Sequence, residues 1–311
     1  MTSPSGIVVG IDRSADSLHA LDWAFDEAVS RGVPLTVLLV WDASWMDAPE
    51  VSLTQDSAEE IFRRIGAREL AKVEEIVDTA RERLAERVPA ARDHEVVAAQ
   101  VQGSPVTALL EHSADSALLV VGRRGRGTLA HLVMGSVSAN VVHHAHRPVT
   151  VVPAPRRHGA HPTPVGRHAD TATVVVGVDG SDRSVLALQH AADFAARRDL
   201  TLDAVCCWHV PSLAPVAGGT AWTPSSEGMV AEAGAALAHA VDRANLSLPP
   251  RQVRQVVIDA SPSRGLIAYA QLAALLVVGS RGLGGFDRLV LGSTSSQILR
   301  HAVGPVTVVP E

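Results

Sequence analysis

Apolar residues follow two regimes along this chain: short continuous blocks ending in Gly or Asp, and longer stretches in which apolar positions recur every three or four residues. Blocks such as Ile7-Val8-Val9-Gly10-Ile11 read as strands buried on both faces, and the helical period reads as helices laid against them. The first strand ends in Asp12 and leads through Ser14, a helix cap, into Leu18, Leu21, Phe25, Ala28 and Val29 at helical spacing. Residues 34–41 predict a second strand, and the charged and apolar pattern of 57–86 predicts an amphipathic helix whose charge run is a solvated face. Residues 94–101 predict a third strand, Ser104-Pro105 opens a third helix with proline in its first turn, and 118–121 predict a fourth strand.

The whole series is then repeated. Ile7-Val-Val-Gly-Ile-Asp12 returns as Val174-Val-Val-Gly-Val-Asp179, a shift of 179 − 12 = 167, and the same shift takes Trp41 to Trp208. Val185, Leu188, Ala192, Ala195 and Ala196 give the second copy of the first helix, and 202–208 its second strand. A shorter amphipathic helix, 226–245, explains why the shift falls to 279 − 122 = 157 beyond it. Residues 252–258, Ser261-Pro262 and 275–278 repeat the third strand, third helix and fourth strand. Closing strands Val149–Val152 and Val306–Val309 have the same Val-Thr-Val-Val sequence. Strand-helix alternation of this kind predicts an α/β fold of two tandem open parallel five-stranded sheets, each with helices on both faces. The domains expected are 1–154 and 173–311, joined by a linker, 155–172, whose Pro, Gly, Arg and histidines (His158, His161, His168) read as a tether. His143, His144 and His146, near a helix end, suit the macrodipole and need no metal.

Each fourth strand runs into a motif that occurs twice. Gly122-x2-Gly125-x9-Gly135-Ser136 returns as Gly279-x2-Gly282-x9-Gly292-Ser293, with Val137-Ser138 and Thr294-Ser295 following. Glycines let backbone N–H groups come close to an anion, and a helix starting at the Gly-Ser adds unpaired donors and partial positive charge. That chemistry suits a phosphate. The alternative, glycines that only end strands and allow tight packing, is weakened by the identical spacing of two copies. Neither copy is a P-loop or an early Gly-x-Gly-x-x-Gly fingerprint. Ligands of parallel sheets lie beyond the carboxyl ends of the strands, which puts Asp12, Val40 and Gly122 on one rim and Asp179, Cys207 and Gly279 on the other.

Composition narrows the setting. At 311 residues each half is large enough to bury its own core, and 47% hydrophobic and 19% charged residues are a globular balance. There is no uninterrupted apolar segment of bilayer-spanning length, and the opening Met-Thr-Ser-Pro-Ser-Gly lacks the basic flank of a secretory signal. With Cys206 and Cys207 adjacent on a strand, where a mutual disulfide is disfavoured, a reducing cytoplasm is the expected location. A formal net charge of −6 argues against a nucleic-acid binder that works by neutralising phosphates.

On these residues the chain resembles the universal stress protein family in its tandem form, over nearly its whole length apart from the linker and the loops at 42–56 and 209–225. In that family Gly-x2-Gly-x9-Gly-Ser/Thr marks the ATP-binding branch. The resemblance implies a fold of the adenine nucleotide alpha hydrolase-like type, with ATP, and Mg as a further candidate, in each half. It implies that Gly10, Asp12, Gly177 and Asp179 lie by the adenosine, and that the backbones of Val40 and Cys207 meet adenine. It also implies that Gly122, Arg124, Gly125, Gly127, Gly279, Arg281, Gly282 and Gly284 surround ribose and phosphates. Gly135, Ser136, Val137 and Ser138, with Gly292, Ser293, Thr294 and Ser295, would hold the phosphate tail. Arg126 is replaced by Leu283 in the second copy, so the sites would differ in affinity if that arginine faces the phosphates. The function implied is a nucleotide-dependent stress or dormancy regulator; the alternative is a slow ATPase or phosphotransferase. No pair of residues stands out as catalytic.

The matching closing strands are expected to pair with each other, since exposed apolar edges invite aggregation, with a homodimer as the alternative. Val308→Pro is therefore expected to loosen the halves and promote aggregation. An unchanged hydrodynamic radius and melting curve would count against pairing.

Overall fold

The structure, a computed structural model, describes residues 6–41, 55–125, 134–154, 173–209, 226–282 and 291–310, without the side chains of 55–58 and 226–227. Gly127, Gly284, Arg126, Leu283 and the linker histidines lie outside the described residues. The chain divides into two compact units, 1–156 and 157–311.

The first unit runs β1 (Ile7–Ile11), α1 (Ala15–Arg31), β2 (Leu35–Trp41), α2 (Gln55–Ala85), β3 (Val96–Gln102), α3 (Pro105–His112), β4 (Leu118–Gly122), α4 (Ser136–His144) and β5 (Val149–Val152). The second repeats it as β6 (Thr173–Gly177), α5 (Asp182–Arg197), β7 (Thr201–Trp208), α6 (Ser226–Ala244), β8 (Val253–Asp259), α7 (Pro262–Tyr269), β9 (Leu275–Gly279), α8 (Ser293–His301) and β10 (Val306–Val309). Within the first unit the strands lie in the order β3-β2-β1-β4-β5, all parallel. Within the second the order is β8-β7-β6-β9-β10, again all parallel. Chain order reverses between β1 and β4, and between β6 and β9. A crevice opens at such a switch point because the connections leave on opposite faces.

The central strands are apolar because both faces are covered: Ile7, Val9, Leu118 and Val120 have no exposed surface. Helix α1 lays Ala20, Leu21, Ala24, Phe25 and Ala28 on the sheet, while Leu18 and Val29, expected on that face, are half-buried at its margins. The alanines let the helix come close. A Cβ on Gly122 would lie 2.7 Å from the backbone of Asp16 and Ser17, so only glycine lets the end of β4 meet the start of α1. Helix α5 buries Ala187, Leu188, Ala191, Ala192, Phe194 and Ala195 in the same way, with Ala196 exposed.

One buried position is solved differently in the two halves. Glu27 in α1 is fully buried and accepts from Arg31 Nε at 2.5 Å. In the second half the corresponding residues are Phe194 of α5, also fully buried, and Arg198 just past its end, whose guanidinium lies 4.1 Å from the ring centroid. A cation over an aromatic face replaces an ion pair, and the buried acid disappears with it.

Candidate functional site

Two short hydrogen-bonded devices shape each switch-point crevice. Asp12 follows β1, and its Oδ1 accepts from Ser14 N at 3.0 Å, a turn that leads straight into α1. Ser14 Oγ then caps the helix by accepting from Ser17 N at 3.3 Å and itself donates to Arg124 O at 3.1 Å, tying the β1–α1 turn to the loop after β4. In the second half Asp179 Oδ1 accepts from Ser181 N at 3.0 Å and from Ser181 Oγ at 2.6 Å, while Ser181 Oγ accepts from Ser184 N at 3.2 Å. The cap on α1 is the one expected from the sequence, and Ser181 repeats it on α5.

The second device closes the glycine loop at its neck. Gly135 N donates to Arg123 O at 2.9 Å, and Gly292 N to Ser280 O at 2.7 Å. Ser138 Oγ and Ser295 Oγ, both buried, donate back to Gly122 O and Gly279 O at 2.6 and 2.7 Å. These two hydroxyls therefore pin the helix start to the strand end as well as facing the crevice. Helices α4 and α8 begin at Ser136 and Ser293, with Gly135 and Gly292 as N-caps that contribute no side-chain acceptor. Their first-turn N–H groups and the positive end of the helix dipole are directed into the crevice.

The result is a cavity of about 230 Å³ in the first half and about 390 Å³ in the second, sizes that suit a small molecule rather than a folded partner. Gly10, Asp12, Val40, Gly122, Arg124, Gly125, Gly135, Ser136, Val137 and Ser138 all line the first. Gly177, Asp179, Cys207, Gly279, Arg281, Gly282, Gly292, Ser293, Thr294 and Ser295 all line the second. Every described residue expected around a nucleotide thus lines one of these two cavities.

The glycines have a geometric reason. A Cβ on Gly125 would stand 2.5 Å from Asp12 Oδ2, and one on Gly282 would collide with Asp179 Oδ2, so the loop approaches the carboxylate only because these residues have no side chain. A Cβ on Gly10 would meet Leu109 Cδ2 at 2.6 Å, and one on Gly177 would meet Leu266 Cδ1 at 2.7 Å. Leu109 and Leu266, from α3 and α7, form an apolar wall. Sequence reasoning did not place them at the sites, nor Ser17 and Ser184, and it read Pro105 and Pro262 only as helix starts; all of these line the cavities. The only signal of the two leucines was helical periodicity, shared with any core residue.

Behind the cavities the halves diverge. Arg124 N and Nε both donate to Asp16 Oδ2, at 3.2 and 3.4 Å, and Asp16 is buried in the first turn of α1. The residue in that place in α5 is Arg183. Cys207, in place of Val40, is accommodated by Gly265, where a Cβ would stand 2.8 Å from its Sγ. Burial, and secondarily Cys206, pushes the Cys207 thiol up to about 11; burial, and secondarily Asp179, raises Cys206 as well. Both thiols should stay protonated at neutral pH and resist alkylation. Iodoacetamide should label the folded protein far more slowly than the urea-unfolded chain; equal rates would contradict this.

The model of the universal stress protein family matches this chain twice, at residues 5–153 and 171–310. The chain belongs to the universal stress protein family. Among its relatives, a universal stress protein of Mycolicibacterium smegmatis is 32% identical over 308 residues, covering 98% of this chain and 96% of the relative. One from Mycobacterium tuberculosis strain H37Rv is 34% identical over 312 residues, covering 97% and 94%. The crystal structure of a universal stress protein from Archaeoglobus fulgidus matches 98% of this chain and 96% of its own, with TM-score 0.61 and 19% identity, a likeness of fold. Two universal stress protein domains in tandem, each an α/β unit with its own parallel sheet, account for the whole repeat. Among the described residues no helix is long and apolar enough to cross a membrane, and no group of three His, Cys, Asp or Glu residues could hold a metal ion.

Proposed function

We propose that each half of this universal stress protein holds one adenine nucleotide, ATP by preference, and that the occupied state is what the protein reports as a regulator of stress or dormancy. The observation that carries the reading is the pair of uncapped helix starts, α4 and α8, each facing a glycine-walled cavity with an Asp opposite. The residues fit the ligand. First-turn N–H groups and the hydroxyls of Ser136 and Ser293 suit phosphate oxygens, and Arg124 or Arg281 suits their charge. Asp12 and Asp179, at the ends of β1 and β6, suit ribose hydroxyls, and the wall of Val40 and Leu109, or Cys207 and Leu266, suits a base. Magnesium, in this reading, arrives on the phosphates. A regulatory protein partner and mutual cover of the closing strands belong to the same proposal.

Holding a phosphate tail is not the same as transferring one. A cation placed for ground-state binding does not by itself lower the barrier, and the described loop residues include no lysine. Turnover should fall well below the roughly 10 per second of a typical enzyme. Ser136→Ala or Ser293→Ala should weaken binding more than it changes any residual rate. The nucleotide released on denaturing freshly purified protein tests the binding claim, and a pull-down with and without ATP tests the regulatory one. Multiple-turnover hydrolysis abolished by Asp12→Ala with Asp179→Ala, at unchanged affinity, would establish the enzyme instead.

A further inference from the structure

A nucleotide in the second half would lie across the strand ends in the order that the sheet imposes. Phosphates belong at α8 beside β9, ribose at Asp179 after β6 and the base at Cys207 on β7, so the edge of the base remote from ribose points on towards β8. In adenine that edge carries the exocyclic amino group. A side cavity of about 790 Å³ opens there, at the end of β8 and along α7. Helix α7 stands between the two spaces: Pro262 and Leu266 line the nucleotide cavity, whereas Gly265 and Ala268 line the side cavity.

The partition is thin at one point. Cys207 lines one cavity and Gly265 the other, and a Cβ on Gly265 would stand 2.8 Å from Cys207 Sγ. Val40 and Ala108 hold these two places in the first half. Valine carries two γ carbons on a stiff χ1, where Cys207 has one sulfur that can turn aside. The side cavity itself is lined by Ile258, Ala268 and Tyr269. The Tyr269 hydroxyl donates to the buried carboxylate of Asp203 at 2.9 Å, and Arg254 grips the same carboxylate at 2.6 and 2.8 Å. The ring is thereby held where a flat apolar group can pack against it. Thr36, Val97 and His112 stand at the corresponding places of the first half, so the anchored ring belongs to the second half alone.

Resting on the reading of the second cavity as an adenine-nucleotide site, we propose that the side cavity is a subsite for a group attached to the exocyclic amino nitrogen. The second half then takes adenine nucleotides with an apolar or aromatic substituent on that nitrogen, and the first half rejects them. The substituent passes Gly265 once Cys207 Sγ has turned aside. In the first half it would meet the side chains of Val40 and Ala108.

The test uses the full chain with one site blocked: Gly125→Val leaves the second site, and Gly282→Val leaves the first. Each is titrated calorimetrically with ATP and with benzyl-ATP, which carries a benzyl group on the exocyclic amino nitrogen. The second site should bind the two within about threefold of each other, and the first should bind benzyl-ATP at least about tenfold more weakly than ATP. Ala268 is exposed and lines the side cavity but not the nucleotide cavity. In the chain that keeps the second site, Ala268→Trp should fill the side cavity and weaken benzyl-ATP about tenfold while ATP holds its affinity. Cys207→Val with Gly265→Ala, which copies the first half, should widen the gap between the two ligands by a similar factor. Retained ATP binding shows that each variant is folded at its site. Equal discrimination by the two halves, or a benzyl-ATP affinity that ignores Ala268→Trp, overturns the proposal and leaves the nucleotide reading intact. If neither blocked chain binds ATP, both fall.

Discussion

Gly125→Val and Gly282→Val should each lower the number of adenine nucleotides bound per chain from two to one, measured by calorimetric titration. The cause is specific. A Cβ at position 125 would stand 2.5 Å from Asp12 Oδ2, and the carboxylate cannot retreat without giving up the 3.0 Å bond from Ser14 N that starts α1. The branched side chain would then occupy space meant for the ligand, and affinity at that site should fall at least a hundredfold. At a hundredfold excess over Kd, a bound nucleotide stabilises the folded state by about 2.7 kcal/mol per site. Each variant should therefore lose the ligand-induced rise in melting temperature that belongs to one half and keep the other. Two sites of unchanged affinity in either variant would sink the assignment.

The largest loss of stability is expected from Phe25→Ala. Its ring is fully buried among Leu21, Ala24 and Ala28 of its own helix and the sheet residues of the first core, with the Arg81 guanidinium 5.5 Å from its centroid. Truncation removes the transfer free energy of the ring and leaves a cavity that alanines cannot collapse into, together costing about 3–5 kcal/mol. In a unit of this size that corresponds to roughly 6–20 °C in Tm. The melting curve of the first half should shift by that amount while the second site still binds nucleotide. A shift under 2 °C would mean that the site relaxes far more than its packing suggests. The corresponding position in α5 is Ala192, so the second core is already built without a ring there.

Most of the fold could be read from the chain because its two regimes of apolar spacing match two periods of backbone structure. The strand ends came within a residue or two: residues 34–41 were expected where Leu35–Trp41 is found, and 94–101 where Val96–Gln102 is found. The glycine loops and both Asp residues were legible because each occurs twice, which separates a constraint from an accident. The order of strands was not. Hydrophobic period says that β1 and β4 are buried and parallel, but not that they are neighbours, and it is their adjacency that brings the start of α1 against the loop after β4. The exchange of Asp16 for Arg183 was therefore visible on aligning the halves, yet had no meaning until Asp16 was found bonded to Arg124. Leu109 and Leu266 illustrate the same limit. A helix face says what is apolar, not that two of its leucines fill the space left by strand glycines.

The hydrogen bond between Gly135 N and Arg123 O, like that between Gly292 N and Ser280 O, fastens both ends of the glycine loop to the same point of the scaffold. A loop anchored in this way is a cassette. The strand before it and the helix after it are held to each other at its neck, by these bonds and by those of Ser138 Oγ to Gly122 O and Ser295 Oγ to Gly279 O. Transplanting the residues between these anchors from one half into the other should therefore exchange whatever ligand preference the loops confer while the scaffold's own melting behaviour stays where it was.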